Sequence, residues 1–114
     1  MDQELRELQR DYLRDVRETV EIIRRHGAGL ASRGSFKTAF PPLLFLAHQL
    51  KGSGGSLGFP RITELAKQMS KELNLFLESE EESKRPTPQQ LSETLGSIAF
   101  ELEREVTTAQ SALA

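Results

Sequence analysis

The stretch Ala47-His48-Gln49-Leu50-Lys51-Gly52-Ser53-Gly54-Gly55-Ser56-Leu57-Gly58 decides how the rest of the 114-residue chain is read. At 100° per residue, a helix here puts His48, Lys51, Gly52 and Gly55 in one narrow stripe, because spacings of three, four and seven residues return to the same face. The opposite face carries Leu43, Leu46, Ala47, Leu50 and Leu57, an apolar band wide enough to bury against neighbouring helices. The imidazole is therefore expected to point away from the core. The glycines run against the helix, since each costs a helix interior about 0.5–1 kcal/mol relative to alanine. Two readings of them stand side by side. One is steric: bare backbone one and two turns beyond His48 admits a bulky, charged group of another molecule. The other is local, a helix C-terminus with a Gly-Ser tail, and covers Gly54, Gly55 and Gly58.

Outward from this stretch, helical signals follow one another along the chain. Pro41 and Pro42 suit a first turn and not a helix interior, so the helix of His48 is expected to start near Pro41 and run to about Ser56, with His48 mid-way. Gly58-Phe59-Pro60 breaks the chain, and Pro60 is placed to open a third helix. Its stripe is Ile62, Leu65, Ala66, Met69, Leu73 and Phe76, with Leu77 beside it. Ser79 to Arg85 reads as a charged connector. Thr87-Pro88-Gln89-Gln90 then combines a Thr cap, Pro at the first helical position and Gln at the third, a capping box. Leu91, Leu95, Ile98, Leu102, Val106, Ala109 and Leu113 supply the stripe of a fourth helix.

Before the motif, Asp2 to His26 shows Leu5, Leu8, Tyr12, Val16 and Ile23 at helical spacing, widened by Leu13 and Val20. Asp2 can cap this helix, Arg24, Arg25 and His26 suit the negative end of its dipole, and Gly27 fits the residue just past it. That position accounts for His26 without any further role. Gly27 to Gly34 reads as a loop, and Phe36, Ala39 and Phe40 as a short packing turn. No alternating strand pattern occurs. The expectation is an all-α protein, an antiparallel up-down four-helix bundle in one domain spanning residues 1–114.

Composition narrows the function classes. With 37% apolar and 28% charged residues and a net charge of −2, the chain lacks the basic footprint of a nucleic-acid binder. It has no cysteine, so thiolate chemistry and zinc–thiolate sites are excluded. No run approaches the ~18 apolar residues of a membrane span, and the polar start is not a signal peptide, which makes the cytoplasm the default. The two histidines lie 22 residues apart with no spacing for shared ligation, so no metal site is expected. Gly52-Ser53-Gly54-Gly55 is not a phosphate-binding loop either, because Lys51 precedes the glycines and no strand leads in. An initial Met1 and self-contained caps favour a free-standing protein, and monomer is the simplest expectation.

The chemistry open to an exposed histidine on a bundle flank is nucleophilic: a neutral ring nitrogen attacks a phosphoryl group and holds it as a phosphoramidate. Lys51, one turn along, disfavours imidazolium and then offers positive charge to the phosphoryl oxygens. No carboxylate lies three or four residues from His48, so the chain reads as a carrier whose chemistry is driven by what docks on it. Leu44 lies one turn before His48 on its own face and Phe45 at that face's edge. They are either covered by a neighbouring helix or form an apolar docking patch, and Phe45 is expected to be the more covered of the two.

His-x-Leu-Lys-Gly followed by small residues and Leu-Gly resembles the signature of histidine-containing phosphotransfer (HPt) domains, the carriers of phosphorelays. The resemblance implies response-regulator receiver domains as partners, with a hybrid histidine kinase as a further one, and places any divalent metal on the receiver. This chain is expected to need no cofactor of its own. By the same resemblance His48 is the phosphoacceptor, Lys51 the motif's lysine, Gly52 and Gly55 the small positions that admit the receiver, and Gly58 the glycine that closes the helix. Many members carry a Glu late in the third helix where this chain has Met69-Ser70. The alternative is a non-catalytic four-helix module that binds and inhibits a receiver or kinase, with His48 incidental. A kinase dimerisation region is disfavoured, because four helices close a bundle without a second copy.

Overall fold

Four runs of apolar residues at helical spacing become four long helices. The computed structural model describes residues 2–31, 36–78 and 86–114. They form α1 (Asp2–Leu30), α2 (Phe36–Ser53), α3 (Pro60–Glu78) and α4 (Pro88–Leu113), with one 3₁₀ turn, Gly55–Leu57, between α2 and α3. No strand occurs among the described residues, and no helix is long and apolar enough to cross a membrane. Each helix packs on the next in the chain, and α4 returns to pack on α1.

The core is apolar throughout, with no buried polar side chain among the described residues. Leu13, Val16, Val20 and Ile23 of α1 meet Leu43, Ala47 and Leu50 of α2, Ile62, Leu65, Met69 and Leu73 of α3, and Leu91, Leu95, Leu102 and Val106 of α4. Each large side chain sunk in this way contributes about 1.5–3 kcal/mol, far more than any surface ion pair in the molecule. Along the α1–α4 seam, Arg10 donates to the Leu113 carbonyl at 2.8 Å, and Arg17 to Thr107 Oγ1 at 3.0 Å and Gln110 Oε1 at 2.8 Å. Farther along, Arg24 pairs with Glu103 and holds its carboxyl below the usual range, chiefly through the hydrogen bond between them. Residue numbers rise on one helix as they fall on the other. At the α4 N-terminus the expected capping box is present: Gln90 N donates to Thr87 Oγ1 at 3.1 Å, and Thr87 N to Gln90 Oε1 at 2.9 Å.

Tertiary contacts redraw several boundaries. Helix α1 does not stop at His26 but runs through Gly27 to Leu30, leaving His26 within the helix, four residues before its end. Gly27 is no helix cap: it is buried, and a Cβ there would lie 3.6 Å from Leu95 Cβ, so it marks close approach of α1 to α4. At the other end, Leu5 and Leu8 are 48% and 59% exposed and not part of the core. The bonds from Gln9 to Leu57 and from Arg10 to Leu113 mark where the neighbouring described elements end, so the first two turns of α1 extend past them.

Helix α2 starts at Phe36, earlier than the prolines suggest, and holds Pro41 and Pro42 inside it. A proline within a helix removes an N–H and costs about 3 kcal/mol. Burial of Ala39 and of Phe40, whose ring lies 5.7 Å from that of Phe76, offsets this. The helix ends at Ser53, sooner than Ser56, because the backbone turns at Gly54. On α3, Phe76 is only partly buried and Leu77 is exposed. The connector Ser79 to Arg85, the end of the loop after α1, the Asp2 cap and the Phe36 packing lie outside the described residues or side chains.

The turn after α2 is tightly specified. Phe59 N donates to Gly54 O at 2.8 Å, Gly58 N to Gly55 O at 3.2 Å, and Gly55 N to Thr63 Oγ1 at 2.8 Å. Gly58 has φ +91°, a left-handed conformation that costs other residues about 1–2 kcal/mol. A Cβ on Gly54 would lie 2.9 Å from Thr63 N and 3.0 Å from Phe59 O, backbone atoms that cannot step aside.

Two stability predictions follow from this geometry, both read by urea unfolding at 222 nm. Gly54→Ala lowers stability by about 1–3 kcal/mol despite alanine's better helix propensity, as forced overpacking does. A neutral or stabilising result would mean that the turn does not pack as described. Leu8→Ala changes stability by no more than about 0.5 kcal/mol, whereas Leu13→Ala, at full burial, costs about 2–5 kcal/mol. Equal losses would mean that the first turns of α1 are covered.

Candidate functional site

The residues that bury α2 also aim its opposite face. With Leu43, Ala47 and Leu50 sunk in the core, the 3.6-residue period turns His48 to solvent, five residues before the end of the helix. His48 is exposed and forms no hydrogen bond or ion pair among the described residues. Gln49, Lys51 and Gly52 are exposed around it, and Lys51 is likewise unpaired among the described residues.

The glycines divide into two kinds. Gly54 and Gly58 are required by the turn itself, one by crowding and the other by its positive φ. Gly52 is different: a Cβ added there meets nothing within 4 Å. Gly55 is nearly as open, with only Thr63 Oγ1 at 3.7 Å, an ordinary contact. The local reading therefore holds for Gly54 and Gly58, while Gly52 and Gly55 leave the open backbone that the steric reading requires. The apolar residues beside His48 also separate. Phe45 is 62% exposed and Leu44 is half-buried against the core, the reverse of the order expected from the sequence. Phe45 lies far enough round the helix from the buried stripe that neither α1 nor α3 reaches over its ring.

The helix carrying His48 is tied to its neighbours at its C-terminal end. Tyr12 OH and Ser53 Oγ are 2.9 Å apart, and Ser53 Oγ donates to Gln49 O at 3.0 Å, which leaves the phenol as donor to Ser53. Burial pushes the Tyr12 pKa up, only partly countered by the bond to Ser53, so the phenol keeps its proton. The Tyr12 ring stacks on Phe59 with centroids 6.0 Å apart, and Gln9 Nε2 donates to Leu57 O at 2.8 Å. A groove beside α2 is lined by Tyr12, Asp15, Thr19, Gln49 and Ser53. Sequence reasoning missed these positioning residues. Tyr12 and Gln9 sit at the margin of the apolar stripe, and helical period alone does not say what a marginal polar group will meet.

Among the described residues no group of three or more His, Cys, Asp or Glu side chains converges as a metal cage would need. What the site offers is an imidazole open to solvent on a rigid helix, a cation one turn away and clear backbone beyond it. Among the described residues no carboxylate is bonded to the ring.

A family model for the Hpt domain matches residues 7–112. No curated protein and no solved structure matches the chain. The matched span runs from the second turn of α1 to the last turn of α4 and so takes in parts of all four helices, His48 included. On that match the chain belongs to the Hpt domain family, the phosphoryl-carrier modules of two-component phosphorelays.

Proposed function

We propose that this chain accepts a phosphoryl group on His48 from the aspartyl phosphate of a receiver domain, free or part of a hybrid kinase, and passes it to another receiver. A neutral ring nitrogen of His48 attacks phosphorus, the bond to the aspartyl oxygen breaks, and the carboxylate leaves with the electron pair. The product is a phosphoramidate, and the same step run backwards loads the next receiver. Lys51 offers its charge to the phosphoryl oxygens, and the chain has no kinase activity of its own. The divalent metal implied by the family resemblance belongs to the partner. The opposed order of contacts along α1 and α4 supports the antiparallel up-down arrangement, with the phosphoacceptor on the second long helix. The carrier acts as a monomer, with the cytoplasm as its expected compartment.

The observation that carries this reading is the open backbone at Gly52. Gly96 of α4 is equally open, so what counts at Gly52 is its place: it lies one turn beyond the exposed His48 and next to Lys51, where open backbone gives an approaching partner clearance. Gly55 extends that clearance, Phe45 and the exposed edge of Leu44 give the partner an apolar contact, and Gly58 shapes the turn beside it.

Incubation with phosphorylated receiver domains and magnesium, followed by acid-labile, alkali-stable label, tests the site. Wild type takes label and His48→Gln takes none, while the variant's helicity and unfolding midpoint stay within error of wild type. Tight binding of a receiver with no label on wild type would replace the carrier by the blocking module. A second prediction concerns clearance: Gly52→Ala stabilises by up to about 1 kcal/mol, and Gly52→Leu slows transfer from a receiver at least tenfold while remaining folded. Unchanged transfer by Gly52→Leu would remove the steric account of that glycine.

A further inference from the structure

The face around His48 is electrically lopsided. Gln49 and Ser53 lie on the α1 side of α2, where they line the groove with Tyr12, Asp15 and Thr19. Lys51 lies to the other side of His48, the side on which Gly54 meets Thr63 of α3. The contacts Gly54–Thr63 and Phe40–Phe76 set the alignment of the two helices. Lys67, one turn beyond Thr63, therefore stands abreast of Leu50, and Lys71, one turn farther, abreast of Leu46. Both lysines are exposed and neither is paired among the described residues.

Among the described side chains of α3, no acid pairs with either lysine. Glu64 is engaged with Arg61 at 3.2 Å, and Glu72, 100° round the helix from Lys71 on the side away from Thr63, bonds to neither lysine. On the α1 side the sign changes: Asp15 borders the groove, exposed and unpaired among the described residues. Asp11, one turn before it, is held by Arg14 at 3.1 Å. Phe45, three residues before His48, leans to this α1 side, so apolar and cationic contacts flank the imidazole on opposite sides. The rim is a local feature, because the chain as a whole carries a net charge of −2.

We propose, resting on the carrier reading of His48, that Lys51, Lys67 and Lys71 form a cationic rim that selects receivers bearing an acidic edge and orients that edge along α3. Phe45 then takes the apolar contact, and Asp15 disfavours the reversed docking by repelling the same acids. Helices packed side by side are about 8–10 Å apart, so both α3 lysines act on the docked partner within about one Debye length at physiological salt. Charges at such a rim govern the rate of productive encounter and its salt dependence more than the chemical step.

The test compares three forms of the chain: wild type, Lys67→Glu/Lys71→Glu, and Arg25→Glu/Arg104→Glu, which makes the same change in net charge at exposed arginines of α1 and α4, away from the rim. Each is labelled from the small donor phosphoramidate, which needs no docking surface, and from the phosphorylated receiver that loads wild type fastest. The rim variant takes label from phosphoramidate at the wild-type rate but loses at least tenfold in kcat/KM from the receiver at 50 mM salt, with saturating rate little changed. The loss shrinks as salt is raised to 0.5 M, and the control variant loses less than threefold. Equal losses in both variants would reduce the effect to net charge and overturn the rim. So would a rim variant with wild-type kcat/KM, in which case His48 remains the acceptor. Failure of wild type to take label from either donor would overturn the carrier reading and this proposal with it.

Discussion

Burial of Leu43, Ala47 and Leu50 is the constraint on which the other features of the site depend. An α-helix that sinks these three residues has no freedom left in where it points the rest, and His48 comes out opposite them. A one-residue shift of the buried stripe would rotate the imidazole by 100° into the groove beside α1. The apolar core therefore does more than stabilise the bundle: it sets the azimuth of His48, the proposed phosphoacceptor. That no polar side chain is buried among the described residues fits this, since the core carries no chemistry and the chemistry sits on its outside.

Aim in the other direction, along the helix, is fixed by polar contacts at the C-terminal end of α2. Tyr12 and Ser53, Gln9 and Leu57, and Thr63 and Gly55 tie the last turn and the 3₁₀ turn to α1 and α3. The result is a preorganised platform: the face proposed for docking is held by neighbours on both sides, so less freedom would be lost on binding. Gly54 and Gly58 belong to this bracing as surely as the hydrogen bonds do. Gly52 does not, and the contrast between glycines that hold a turn and a glycine that leaves room is what separates architecture from function in the motif.

A carrier has two needs that pull apart. The acceptor must be open enough for a second protein to reach, yet it must not react without one. An exposed imidazole with no carboxylate in contact meets both, because it is nucleophilic but has no local machinery to activate water or nucleotide. Specificity then has to come from the surface around it. Here that surface is a helix face with an exposed aromatic residue and clear backbone, with the lysines of the proposed rim to one side.

Much of this was legible in the sequence. Periodicity alone gave four helices, the Thr87 capping box and the outward face of His48, because these depend on local spacing and on the chemistry of neighbouring residues. It misplaced the ends of α1 and α2. Gly27 and the pair Pro41–Pro42 are helix breakers by propensity, but contact with Leu95 and the burial of Phe40 overrode them. It also could not rank Leu44 and Phe45, nor tell Gly52 from Gly54, since both distinctions rest on what the neighbouring helices place nearby. The sequence by itself determined the helices, the motif and the face it occupies. The tertiary structure decided which glycines are free, which aromatic residue is bare and how α3 is aligned against α2, because those are distances between segments that only packing brings together.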